Sequence, residues 1–210
     1  MVFALGRIGW VLMALLCVLL VVTTLHYFGT DRSMYFQPDV YMDRIAVLRV
    51  HIVAGIIAAL TGPLQFWPAF RNRFRAAHRT LGKAYIVAVL TGALFGLAIA
   101  TTAKGGVVSQ AGFSTLALLW AGATVVAYRR IRAGDVAGHR RWMIRSFALT
   151  FAFVTLRLIF PVLQFGAGLD QTSAFQITAW ACWIPNVLVV ELALQRGRVP
   201  LRVFSNDIAT

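Results

Sequence analysis

Six long apolar runs constrain the fold of this chain more than any other feature of its sequence. Each run is near the roughly 20 residues that an α-helix needs to cross the hydrocarbon core of a bilayer. Only 13% of the residues are charged, whereas soluble domains carry about a quarter. The sequence therefore predicts an all-α fold, a six-helix transmembrane bundle that forms a single integral membrane domain over residues 1–210. The predicted helices lie at about residues 8–28, 45–67, 84–103, 111–128, 142–165 and 173–194.

The net charge of +13 is concentrated in short connections between the apolar runs. Fifteen of the twenty Lys and Arg residues fall on one side of the predicted membrane. Because positively charged connections stay in the cytoplasm, this asymmetry predicts a multi-pass protein of the cell membrane with cytoplasmic N- and C-termini. The same distribution argues against nucleic acid as a partner. The lipid bilayer is the partner that the sequence requires, and the oligomeric state stays open.

Both cysteines, Cys17 and Cys182, fall inside apolar runs. This position predicts buried apolar side chains, not a disulfide framework or a zinc site with paired cysteines, so we predict no such metal site. The first run, from Ile8 to Phe28, is too long for the apolar core of a signal peptide, and we expect it to be a retained helix.

Two basic connections with one histidine each lie on the side that is predicted to be cytoplasmic. His78 and Arg79 precede the third helix, and His139 and Arg140 precede the fifth, 61 residues later. Two histidines at equal depth on neighbouring helices can ligate a haem iron, and arginines such as Arg79 can neutralise its propionates. Imidazole also suits zinc or copper. The alternative is that each histidine lies at headgroup level near a helix start, without a ligand.

A second polar layer is predicted in the outer half of the membrane. At 1.5 Å per residue, His51 lies roughly 9 Å and Arg157 roughly 12 Å below the outer ends of their helices, with Arg49 and His26 closer to the surface. A charge at this depth costs on the order of 2.5–3.5 kcal/mol and is usually kept for a partner, a ligand or a water-filled cavity. Arg157 is thus a candidate to bind a propionate, a phosphate or a quinone carbonyl. The alternative is that Arg157 snorkels towards helix-end carbonyls and Gln164.

A third polar feature lies near the inner ends of the last two helices. Arg145 and Glu191 are predicted at similar depth, and a lone carboxylate in lipid would be expensive, so we predict an ion pair between them. The alternative role for Glu191 is a proton-relay carboxylate. Asn186, one turn deeper, is predicted to form a hydrogen bond between helices.

Four motifs together carry a family resemblance that covers Arg49 to Glu191. The chain resembles the bacterial membrane proteins grouped as domain of unknown function 2306 in the runs HIVAGIIAALTGPLQF, R…HRTLGKAY, GHRRWMIRSFAL and a final W…N…E. The resemblance implies no activity. The positions that match the family pattern are His51, Gln65, His78, Arg79, Gly82, His139, Trp142, Met143, Arg145, Arg157 and Glu191.

The architecture is also similar, in part, to six-helix cytochrome b-type membrane reductases, which pair histidines of alternate helices at both faces. The resemblance implies an inner pair made by His78 and His139. The outer layer offers His51, but the fourth helix carries no histidine. The resemblance therefore implies at most one haem b, or a quinone site.

Three functions stay open at this point. The first is a redox-linked protein that binds haem b or quinone, the second a transporter or permease-like protein for a small anionic solute, and the third a non-enzymatic accessory or assembly protein. The sequence contains no P-loop, no G-x-S-x-G, no H-E-x-x-H and no Rossmann fingerprint, so neither an enzyme class nor a catalytic residue is assigned. The candidate cofactor-binding residues are His51, His78, His139, Arg157 and Arg79.

Overall fold

The computed structural model describes residues 6–29 and 42–197. All regular structure in these ranges is helical, and six helices are long and apolar enough to cross a membrane, which confirms the predicted all-α class and its six apolar helices. Residues 1–5, 30–41 and 198–210 lie outside the described residues, as do Arg32, Arg198 and Arg202, which the charge count includes. The six spans are Ile8–Phe28 (span 1), Ile45–Gln65 (span 2), Arg75–Ala100 (span 3), Gly106–Arg132 (span 4), Val136–Gly166 (span 5) and Gln171–Gln195 (span 6).

The spans alternate in direction, which places their connections at two faces of the bundle. Segments 66–74 and 133–135 lie at one face, which we call the basic face. Segments 101–105 and 167–170 lie at the other, which we call the opposite face. The basic face contains the connections that the charge pattern predicts to be cytoplasmic.

Three helix boundaries at the basic face differ from the predicted ones. Span 3 begins at Arg75, not at residue 84, so His78 and Arg79 lie within the helix. Span 4 continues to Arg132, not to residue 128, and span 5 begins at Val136, not at residue 142, so His139 also lies within a helix. A short helix, Pro68–Arg73, occupies part of the predicted connection. The reason is that hydropathy marks the lipid-embedded part of a helix, whereas Ala, Arg and Lys are good helix formers that extend the helix into the interface.

Proline residues interrupt the last two spans. Span 5 consists of helix Val136–Thr150, helix Ala152–Pro161 and a π-helical turn, Val162–Gly166. Pro161 has no N–H, so it cannot donate the helical hydrogen bond to the carbonyl of Arg157 four residues earlier. Span 6 consists of Gln171–Ala181 and Ile184–Gln195. Pro161 precedes the π-helical turn of span 5 and Pro185 follows the break in span 6, whereas the break at Phe151 has no proline beside it.

Small residues allow spans 2 to 6 to pack closely, as is usual for helices in lipid. Spans 2 and 3 form one antiparallel hairpin, and spans 4 and 5 form the next. A Cβ atom at Gly92 would lie 3.1 Å from the Trp120 ring and 3.3 Å from Ala54, and a Cβ at Gly112 would lie 2.9 Å from the carbonyl oxygen of Ala179. Glycine at these points lets neighbouring spans approach almost to backbone contact.

A buried hydrogen-bond network joins spans 3, 4 and 5 near the middle of the bundle. The Tyr85 hydroxyl lies 2.9 Å from Ser146 Oγ and 2.8 Å from Thr150 Oγ1. Trp120 Nε1 donates to Thr150 Oγ1 at 2.9 Å, and Thr124 Oγ1 lies 2.7 Å from Ser146 Oγ. Because hydrocarbon offers no partners, such a network ties the polar groups of three spans to one another.

Candidate functional site

A cavity of about 670 Å³ lies between the spans, in the half of the bundle next to the opposite face. Residues from all six spans line it, and its volume is within the roughly 300–1,000 Å³ typical of ligand sites. Phe165 lines the cavity with 79% of its surface exposed, so the wall is open there. Its aromatic residues are Tyr27, Phe113, Trp120, Phe153, Phe160, Phe165 and Phe175. Its polar residues are Thr23, His26, His51, Arg157, Gln164 and Gln171.

His51 lines this cavity with its ring orientation fixed by span 3. Its Nδ1 lies 2.7 Å from the carbonyl oxygen of Gly92. Because a carbonyl only accepts, Nδ1 must carry the hydrogen, and Nε2 is the acceptor nitrogen of the neutral ring. The ring packs 5.3 Å from Phe153 and lies against Gly96. A histidine held in this way by a backbone carbonyl is oriented as metal-ligating histidines usually are.

Arg157 lines the same cavity, so the structure brings the two predicted residues of the outer layer together. Its Nη1 donates to the Phe153 carbonyl at 3.3 Å, and its guanidinium group lies close enough to His51 to interact with it electrostatically. Gln164, the snorkelling partner considered from the sequence, also lines the cavity. A guanidinium group has five donors in a planar fork, which suits it to bind oxygen atoms of a ligand in this space.

His26 is a cavity residue to which sequence reasoning gave only a surface position. Its Nδ1 lies 2.7 Å from the Thr23 carbonyl oxygen, and the centres of its ring and the Tyr27 ring are 4.1 Å apart, with the rings tilted by 37°. It lies in the 3₁₀ turn Leu25–Phe28 that ends span 1. The signal in the sequence was a histidine at the same end of its helix as His51, but the contact between spans needed the tertiary structure.

The other two candidate histidines lie near each other at the basic face. His139 Nδ1 lies 2.9 Å from the Ala127 carbonyl, which fixes its tautomer as that of His51. His139 and the exposed Arg79 both lie within electrostatic reach of His78. Ligation of an iron by this pair stays a prediction. Within residues 6–29 and 42–197 no group of three or more His, Cys, Asp or Glu side chains is placed to hold a metal ion.

The two histidine groups cannot contact one small ligand. His78 and Gly96, which touches His51, are 18 residues apart along span 3. At 1.5 Å per residue this separation is roughly 27 Å. The cavity at the opposite face and the histidine pair at the basic face are therefore separate candidate sites.

Arg145 and Glu191 form a two-point ion pair between spans 5 and 6. Arg145 Nε donates to one carboxylate oxygen at 2.5 Å, and Nη2 donates to the other at 2.9 Å. The guanidinium group also lies 4.8 Å from the centre of the Trp142 ring. Both carboxylate oxygens of Glu191 are thus engaged in a bond that joins the two spans.

Asn186 and the hydroxyl network show how polar residues join the helices. Asn186 Nδ2 donates to Thr155 Oγ1 of span 5 at 3.0 Å, which is the predicted kind of bond between spans, and to the Cys182 carbonyl of its own span at 3.0 Å. The network around Tyr85 was not predicted, because Ser, Thr and Tyr in an apolar run give no sign of their partners. Its member Trp120 also lines the cavity, so the network supports the cavity wall.

The comparisons with known proteins show the family but not an activity. No curated protein matches this chain, and no solved structure matches it. The family model described as predicted membrane protein (DUF2306) matches residues 48–194, which is more than half of the chain. The chain therefore belongs to the DUF2306 family of predicted membrane proteins.

Proposed function

We propose that this membrane protein binds a planar redox ligand of the haem b or quinone class in the cavity next to the opposite face. The observation that carries the proposal is His51. Its Nδ1 is bound to the Gly92 carbonyl, which leaves Nε2 as a lone-pair donor in a cavity rich in aromatic rings. The same cavity contains Arg157, a cation suited to the oxygen atoms of such a ligand.

The residues present fit both members of this class. For haem b, His51 Nε2 would bind the iron and Arg157 would hold a propionate, while the bound iron would supply one-electron chemistry. For a quinone, Arg157 would donate to a carbonyl oxygen of the ligand, and His51 Nε2 would accept a hydrogen bond from the hydroxyl of the reduced form. The opening beside Phe165 offers a ligand from the membrane a path to the cavity.

The two alternative functions make different demands on the same cavity. Transport of a small anionic solute would use Arg157, but it needs a polar passage, and the wall of this cavity is mainly apolar. A purely structural role would need polar residues engaged only with each other, as Asn186 and Thr155 are. His51 differs from them, since among the described residues its one hydrogen bond is that from Nδ1 to the Gly92 carbonyl.

Orientation and location are part of the proposal. We infer that the basic face is cytoplasmic and that the cavity lies in the outer half of the cell membrane. The charge distribution between the faces supports this orientation. A redox ligand in this cavity would then lie closer to the outside of the cell.

The test is a reduced-minus-oxidised visible spectrum, together with quinone analysis of an organic extract. The protein is purified in mild detergent from haem-supplemented cells. We expect either sharp haem bands or a near-stoichiometric quinone, and we expect loss of that ligand in His51→Ala. The matched control is His139→Ala, which removes a histidine at the other face and should keep the ligand.

Two outcomes would contradict the proposal. One is a folded, monodisperse protein with neither haem bands nor quinone. The other is a ligand that His139→Ala removes and His51→Ala retains, which would move the site to the basic face. Arg157→Gln adds a graded readout, because loss of a charge-assisted hydrogen bond should weaken binding about tenfold or more.

A further inference from the structure

We propose that the basic face carries a binding site for a phosphate group, where spans 2, 3 and 5 meet. This site is independent of the redox cavity and of the function proposed for it. Its donors are the side chains of Gln65, Arg71, His78 and Arg140.

The first observation is that two buried polar atoms at this place have no hydrogen-bond partner among the described residues. They are Gln65 Nε2 and His78 Nδ1. Gln65 is only 8% exposed, so its amide cannot compensate by binding bulk water. A buried donor without a partner is destabilising, and in native proteins it commonly marks a site for a bound group.

The second observation is that Gln65 reaches span 3 one helical turn from His78. A Cβ atom at Gly82 would lie 3.3 Å from Gln65 Oε1. His78 precedes Gly82 by four residues, so it lies on the same face of span 3, about 6 Å away by the helical rise. The last residue of span 2 therefore reaches the first turns of span 3, where His78 is.

The third observation is a cluster of like charges around these atoms. Arg71 lies close enough to His78 to interact with it electrostatically, and Arg140 lies equally within electrostatic reach of Arg71. Burial, and secondly the charge of Arg140, lower the pKa of Arg71, which lies outside the spans. Crowded cations of this kind repel one another until an anion binds between them.

The carboxylates of the described residues lie elsewhere. Asp135 pairs with Arg130 at 3.1 Å, and Glu191 pairs with Arg145. Asp43 and Asp170 belong to the opposite face. These four carboxylates therefore do not pair with the cluster, and a phosphate is an anion suited to its guanidinium groups.

Helix ends add to the attraction for an anion. Spans 3 and 5 both begin at the basic face, and His78 and His139 are each the fourth residue of their helix. The positive end of the helix dipole favours negative charge at the start of span 3. At the start of span 5 the Asp135 carboxylate already accepts from the Gly138 N–H, so that helix end adds less. Arginine forks bind the several oxygen atoms of a phosphate well, and basic pockets between spans commonly hold lipid headgroups.

The phosphate has two possible sources, a lipid headgroup and free phosphate, and the experiment separates them. One arm titrates the full-length protein in detergent with inorganic phosphate at constant ionic strength and records the Tm. The other reconstitutes it into nanodiscs of phosphatidylcholine alone, with phosphatidic acid, or with oleate as an anion that has no phosphate. We expect a rise in Tm with phosphatidic acid but not with oleate if the source is a lipid. We expect a rise with inorganic phosphate alone if the source is free phosphate.

Variants test the named donors. Arg71→Gln and Arg140→Gln should weaken binding about tenfold or more, whereas the matched control Arg141→Gln, an exposed neighbour, should not. Gln65→Leu should weaken binding about fivefold, because it removes one neutral donor. Without ligand, Gln65→Leu should leave the Tm unchanged or raise it, since it removes a buried amide nitrogen that has no partner.

Several results would overturn the proposal. One is the absence of a Tm rise with either source. Another is an equal loss of binding in Arg141→Gln and Arg140→Gln, which would indicate a diffuse effect of surface charge. A third is a Gln65→Leu protein with lower Tm and unchanged affinity, which would make Gln65 structural. A visible absorption band lost in His78→Ala would assign His78 to an iron ligand.

Discussion

At the scale of single residues, the position of His51 depends on the absence of side chains in span 3. The ring lies against Gly96, where a Cβ would lie 2.9 Å from Cε1 and Nδ1, and its Nδ1 reaches the Gly92 carbonyl. A larger residue at Gly96 would move the ring, whereas a Cβ at Gly92 would meet Trp120 and Ala54. The stripe of small residues that packs the spans therefore also orients the candidate ligand.

Gly96→Ala tests this dependence. The added Cβ would lie 2.9 Å from His51 Cε1 and Nδ1, so the ring must shift and lose its fixed orientation. We expect ligand content per protein to fall, about tenfold in affinity if one charge-assisted or coordinating contact is lost, while the protein still folds. The measurement is ligand stoichiometry together with Tm. The control is Gly122→Ala, where a Cβ meets nothing within 4 Å; equal effects at both positions would contradict the prediction.

The ion pair between Arg145 and Glu191 gives a second prediction at this scale. The side chains are 24% and 32% exposed, so solvent screens the pair only in part. Glu191→Gln should lower the free energy of unfolding by about 1–3 kcal/mol, because it removes a charged acceptor from two bonds.

A double-mutant cycle with Arg145→Gln measures the coupling directly. We expect a coupling of about 1–2 kcal/mol, so that the double variant is less destabilised than the sum of the single variants. Strictly additive effects would show that the pair contributes nothing. A Glu191→Gln protein with unchanged stability but altered proton-linked activity would favour the relay role instead.

At the scale of helical elements, hydroxyl groups hold the two central hairpins together. The network has five hydrogens, on Tyr85, Trp120, Thr124, Ser146 and Thr150, and six contacts to serve. At any moment, therefore, one of the six contacts has no hydrogen of its own, or one hydrogen is divided between two acceptors. Tyr85 and Ser146 are 61 residues apart, the same offset as His78 and His139, so the two hairpins place equivalent positions against each other.

Substitutions within the network should differ in their effect. Thr150→Val removes the acceptor for Trp120 Nε1 and leaves a buried N–H unpaired, which should cost about 1–3 kcal/mol. Tyr85→Phe should cost about 1 kcal/mol, because Ser146 keeps Thr124 and Thr150 keeps Trp120 as partners. Denaturation in detergent measures both, with Tyr128→Phe as an exposed control. A larger effect of Tyr85→Phe than of Thr150→Val would show that the hydrogen accounting is wrong.

Elements were easier to predict from the sequence than their contacts. Hydropathy located all six spans, because a lipid-embedded helix must be apolar over its length. It misplaced the start of span 3, because the helix begins at Arg75, and its first turns, which include His78, are too polar to be recognised by hydropathy. The helical rise placed His51 and Arg157 in one layer. Three other features depend on how the spans pack and could not be predicted: the cavity, the fixed tautomer of His51 and the approach of Gln65 to Gly82.

At the scale of the whole molecule, the two candidate sites lie near opposite surfaces of the bundle. The aromatic cavity adjoins the opposite face, and the cationic cluster adjoins the basic face, roughly 27 Å away along span 3. The network around Tyr85 lies between them, about 10 Å from His78 by the helical rise. The orientation of the bundle therefore decides which site meets the cytoplasm.

That orientation can be measured with two cysteine substitutions at exposed alanines. Ala133→Cys marks the basic face, and Ala167→Cys marks the opposite face. A membrane-impermeant maleimide applied to intact cells should label Ala167→Cys and spare Ala133→Cys, because the positive connections stay in the cytoplasm. The native Cys17 and Cys182 are buried, so they should give little background. Permeabilised cells should label both variants, which controls for reactivity; labelling of Ala133→Cys alone in intact cells would invert the orientation and put the phosphate site outside the cytoplasm.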